Sequence, residues 1–150
     1  MKHRAAGAII TIVIFTSVCA VASEKFGTRD EARALLERAV SHLQSNQDKA
    51  LDDFTTGDEG FIDRDLYVFC GGPDGMITAH PDVFGLRLLD FKDIAGTAAG
   101  EEMYETAREG EISEISYKWP RPAQGDVPVD KVTFYTKVED QICGVGYYSR

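Results

Sequence analysis

The sequence predicts an α+β domain in which one long helix packs against an antiparallel sheet. Two patterns predict this. Apolar positions recur at helical spacing from Ala32 to Leu43, and most of the chain after residue 60 is a series of short β-prone runs separated by Gly and Pro turns. A chain of 150 residues, 43% hydrophobic and 27% charged, can build one core of ordinary size.

The N-terminus precedes that domain. Lys2, His3 and Arg4 are followed by an uncharged apolar run from Ala5 to Ala22 that ends in the small-residue series Ala20-Val21-Ala22. This is the order of a secretory signal peptide, residues 1–22, cut after Ala22 to leave residues 23–150 as a single domain outside the cytoplasm, periplasmic or secreted. An uncut membrane anchor is the alternative, because the run just reaches spanning length. Lipid attachment through Cys19 is a weaker one, since Thr16 and Val18 are poor flanking residues for it.

Losing Lys2 and Arg4 with the signal takes the formal charge from −9 to −11. So acidic a protein does not bind nucleic acid or anionic lipid through bulk charge. Cleavage also leaves two cysteines, Cys70 and Cys143, in a compartment where disulfides persist. Either the two are bridged or each is a separate buried thiol in a strand.

Thr28 with Glu31 forms a capping box, and Ala32, Leu35, Leu36, Ala39, Val40 and Leu43 define the buried face of the long helix. Asp48 is placed to cap a second, shorter helix through Ala50, Leu51 and Phe54, ended near Thr56-Gly57. Leu66 to Cys70 is a dense β-prone run, turned by Gly71 to Gly75 into a second strand from Met76 to His80, where Pro81 stops pairing. Residues 82–100 have no clear period and form a crossing connection, followed by a short helix from Glu101 to Arg108. Three strands complete a five-stranded sheet: Glu111 to Trp119, Lys131 to Val138, and Gln141 to Tyr148.

The chemistry-bearing residues are few. Ile115, Tyr117 and Trp119 share one strand face, as a pocket wall with polar tips or as plain core. His80 ends a strand beside a long loop, at a cavity mouth or as a structural hydrogen-bonding group. Lys131 opens a strand after a Pro-containing loop, where its cation meets an anionic ligand at the rim or is simply solvated. With only His42 and His80 downstream of the signal and no C-x-x-C spacing, the sequence offers no metal site, and no cofactor motif appears. Gly144-x-Gly146 lacks the following helix a dinucleotide needs, so these glycines read as places of close approach. No nucleophile elbow or metalloprotease string is present, and nothing selects a catalytic carboxylate pair, so the chain reads as a non-enzyme.

Leu66-Tyr67-Val68-Phe69, Pro73-Asp74-Gly75, Thr78-Ala79-His80-Pro81, Leu88 to Asp93, Tyr117 to Pro122 and Gly144 to Tyr148 together resemble, in order, the single Cache domain of the second type. The resemblance spans about residues 28–148. It implies a PAS-like fold with a long N-terminal helix behind a five-stranded antiparallel sheet, and a small-molecule pocket on the other sheet face. It implies His80, Tyr117, Trp119 and Lys131 near the pocket, with Tyr67 and Phe69 as further wall, and a small organic acid such as a short-chain carboxylate as ligand. Adjacent first and last strands would place Cys70 beside Cys143 and support a bridge. Two departures stand out: Phe134 replaces a common tyrosine and Gln141 a common tryptophan. The implied role is extracytoplasmic binding of a small anionic molecule, feeding a membrane sensor or transporter. A protein-interaction module with a collapsed pocket is the alternative, distinguished by whether the interior is filled.

Overall fold

The computed structural model describes residues 25–149; the expected signal peptide, 1–22, lies outside them. Helix α1 (Arg29–Ser45) starts where the capping box requires: Thr28 Oγ1 accepts from the Glu31 amide at 3.3 Å, and Glu31 Oε2 accepts from the Thr28 amide at 2.8 Å. Helix α2 (Gln47–Thr56) is capped by Asn46, not by Asp48 as the sequence suggested. Asn46 adopts an extended backbone that separates the two helices, and its side chain accepts from the Lys49 amide at 3.1 Å. Gly57, at φ 82°, ends α2 in the left-handed region.

Strands β1 (Ile62–Asp63), β2 (Leu66–Gly71), β3 (Ile77–Ala79), β4 (Ser113–Pro120), β5 (Pro128–Val138) and β6 (Gln141–Tyr148) form one antiparallel sheet in the order β1-β2-β6-β5-β4, with β3 also paired to β2. All five expected strands are present. The sixth, β1, has two residues, too few to show alternation. Helix α3 (Ala99–Thr106) begins two residues earlier than expected and ends at Ala107. Gly100 lies tight against the Leu88 carbonyl, where a Cβ would collide with backbone, so the helix start packs directly on the 3₁₀ turn Leu88–Asp90.

The sheet separates two cores. Leu66, Val68, Cys70, Phe134, Val138, Cys143 and Val145 face α1 and α2, with Phe54 and Phe61. Tyr67, Phe69, Ile115, Tyr117, Tyr135 and Ile142 face the crossing segment and α3. Strand β2 is therefore buried on both faces, which is why it reads as a continuous apolar run. Cys70 and Cys143 stand directly opposite each other on β2 and β6 and are joined by a disulfide (S–S 2.05 Å) on the helix side.

Candidate functional site

On the sheet face away from α1, a cleft of about 430 Å³ lies between the strands and the crossing segment. Strand alternation aims Tyr67 and Phe69 of β2 and Tyr117 and Trp119 of β4 into it, and His80 closes one end just beyond β3. The rings leave this volume open, so the interior is not the filled one that a collapsed pocket requires.

His80 is 7% exposed. Its Nδ1 accepts from the amides of Asp82 (3.0 Å) and Val83 (3.1 Å), which leaves the ring proton on Nε2. Burial, aided by the charge of Lys131, lowers its pKa to about 4, so the ring is neutral near pH 7. The ring packs edge-on to Tyr67 (5.0 Å between centroids) and Trp119 (6.4 Å).

Lys131 is not at the rim. It is 1% exposed and sits behind the cleft wall, among the rings of Tyr67 (4.2 Å), Tyr148 (5.3 Å), Phe69 (5.8 Å) and Tyr117 (6.0 Å). Its period along β5, shared with Thr133 and Tyr135, turns it inward, and Gly146 on β6 makes room: a Cβ there would collide with Lys131 Cε. Nζ donates to the Tyr67 hydroxyl at 2.7 Å. Burial lowers the pKa of Lys131 to about 7, partly opposed by the field of Asp65. Tyr117 donates to or accepts from Thr133 at 3.0 Å, and burial raises its pKa to about 12.

Five of the six expected ligand residues, Tyr67, Phe69, His80, Tyr117 and Trp119, line this one cleft, and Lys131 stands directly behind it. The two departures lie elsewhere. Phe134 faces the helices beneath the guanidinium of Arg29, and Gln141 accepts from Thr78 at the sheet end, so neither shapes the cleft. Gly144 and Gly146 make room for Phe69 and Lys131.

Sequence reasoning missed the far wall: Ile77, Leu86, Leu88 and Phe91, with Arg87 and Lys92 at the mouth. Asp93 holds this segment in place. Its Oδ1 accepts from the Ala95 (2.9 Å) and Thr97 (2.8 Å) amides and its Oδ2 from the Lys118 amide on the edge strand β4 (2.7 Å), which together hold its carboxyl below the usual range. An Asp followed by small and turn residues was the one local signal available there.

Residues 37–149 match the family model dCache_2, described as a Cache domain. The chain belongs to the Cache family. Cache domains are extracytoplasmic sensory domains for small molecules, not catalysts. The fold agrees with those of three solved structures. A methyl-accepting chemotaxis protein from Vibrio parahaemolyticus RIMD 2210633 is 21% identical, with a TM-score of 0.65 over 80% of this chain and 87% of that one. A structure described as the periplasmic sensor domain of a chemotaxis protein is also 21% identical, with a TM-score of 0.61 over 81% and 90% of the two chains. A third structure, reported for carboxylic acid recognition by a Cache chemosensory domain, is 20% identical, with a TM-score of 0.59 over 81% and 88%. No curated protein sequence matches the chain. Among the described residues no helix is long and apolar enough to cross a membrane, and no cluster of His, Cys, Asp and Glu could hold a metal ion.

Proposed function

We propose that this Cache domain is exported by residues 1–22, cut after Ala22, and binds a small organic acid in the cleft, passing its occupied state to a membrane-bound sensor or transporter. The observation that carries the reading is the inner end of the cleft. There the neutral His80 offers an Nε2–H donor, and Tyr67, whose oxygen accepts a hydrogen bond from Lys131, has its own O–H to donate. A carboxylate seated there receives two hydrogen bonds and lies close to a buried cation whose nearest polar partner is a phenol. The surrounding rings exclude water from those bonds and strengthen them. Lys92 on the cleft lining offsets the acidic surface and draws anions inward, whereas Arg87 is paired with Asp90 at 3.2 Å. A carboxylic acid is also the ligand class named for one of the structurally similar Cache domains.

The test is a thermal-shift and calorimetric screen of the purified protein against organic acids of two to nine carbons, with amino acids and sugars as comparison classes. Stabilisation by acids alone is expected. A folded protein that no acid stabilises overturns the reading. N-terminal sequencing of the exported protein, expected to start at Ser23, tests the cleavage.

A further inference from the structure

The cleft is much larger than a two- or three-carbon acid, and its far wall is a second set of apolar groups. Phe91, from the crossing segment, stands edge-on to Tyr117 (5.3 Å) and to Trp119 (5.2 Å), at interplanar angles of 73° and 80°. With Phe69, Leu88 and Ile77 these rings form an apolar wall of the cleft, which Phe69 and Trp119 carry up to His80 (6.5 Å and 6.4 Å between centroids). Leu86 (59% exposed) lines the same cleft.

An acetate-sized ion held by His80 and Tyr67 leaves most of this wall to water. Each methylene withdrawn from water is worth about fourfold in affinity, and aromatic pairs add an orientation-dependent gain beyond area. Binding sites of this volume enclose most of their ligand's surface. The neutral part of the ligand should therefore be a ring or a group of similar girth.

Resting on the organic-acid reading above, we propose that the ligand is an aromatic carboxylic acid, its carboxylate at His80 and Tyr67 and its ring packed against the aromatic wall formed by Phe91, Tyr117 and Trp119. Phe91 is then a specificity-determining residue. It touches the ring and not the carboxylate, so its removal changes selectivity among acids.

Calorimetric titration of the purified protein with acetate, propionate, benzoate, phenylacetate and the neutral phenylacetamide tests this. Phenylacetate or benzoate is expected to bind at least tenfold more tightly than acetate and than phenylacetamide. Phe91→Leu, which keeps the wall apolar and whose fold circular dichroism would check, is expected to lower aromatic-acid affinity about tenfold and leave acetate unchanged. Acetate or propionate binding as tightly as phenylacetate overturns the aromatic assignment and leaves the organic-acid reading standing. Equal binding of phenylacetamide, or binding of no acid at all by folded protein, overturns both. An unchanged acetate-to-phenylacetate ratio in Phe91→Leu overturns the role of Phe91.

Discussion

Lys131 Nζ lies 2.7 Å from the Tyr67 hydroxyl, and this is the side chain's one hydrogen bond among the described residues. A cation without a carboxylate partner in an aromatic enclosure is costly to bury, and the lowered pKa of about 7 expresses that cost.

The pH dependence follows in sign. Between pH 7 and the ordinary lysine range the unfolded chain holds more protons at this position than the folded one, so this group's contribution to stability rises with pH across that window and is flat below it. Lys131→Met should abolish that slope in urea titrations at pH 7 and pH 9 and raise stability at pH 7 by about 1–4 kcal/mol. The same variant should lose carboxylate affinity by at least tenfold. In the unaltered protein, carboxylate binding at pH 8 should take up protons, measurable by calorimetry in buffers of different ionisation enthalpy.

His80 serves the fold as well as the cleft. His80→Ala leaves the Asp82 and Val83 amides without their acceptor and should cost about 1–3 kcal/mol in a denaturant titration. Its folded pKa of about 4 lies below the ordinary 6.5, so its share of stability is present above pH 6.5 and is lost as pH falls towards 4. The variant should flatten the stability profile in that acidic window.

The Cys70–Cys143 bridge closes a segment with a sequence separation of 73. Chain entropy assigns such a closure about 4 kcal/mol. Reduction, or the double change Cys70→Ala and Cys143→Ala, should lower the denaturation midpoint accordingly. Because both sulfurs lie on the helix side of the sheet, any folded reduced protein should keep its ligand affinity within about threefold, a change of roughly 0.7 kcal/mol.

Gly146→Ala places a methyl group against the Lys131 stem and Thr133. Overpacking of this kind costs about 1–3 kcal/mol. Ligand affinity should fall as well, since the displaced stem carries the amine that meets Tyr67. An unchanged affinity would show that the position of Lys131 does not matter to binding.

The expected elements were largely legible because their signals are local. Thr28 and Glu31 announced the start of α1, and the alternation of Tyr117 with Trp119 gave the face they share. The helix cap at Asn46 was misread because Asp48, two residues on, has equal capping chemistry, and only the backbone bend decides between them. Phe91 and Leu88 were missed because residues 82–100 have no period. Their placement comes from Asp93 reaching the β4 edge and from Gly100 nesting against Leu88.

By itself, the order of residues determined a long amphipathic helix, an antiparallel set of strands, and a Cache resemblance that the family match bears out and that implied the Cys70–Cys143 bridge. Tertiary structure alone decided that Lys131 is buried behind the wall instead of standing at the rim, and that the rings of β2 and β4 bound an open cleft. Periodicity says which face a side chain occupies. Whether that face meets solvent, a filled core or an empty space depends on partners far along the chain, as with Lys131 and Tyr67, which are 64 residues apart.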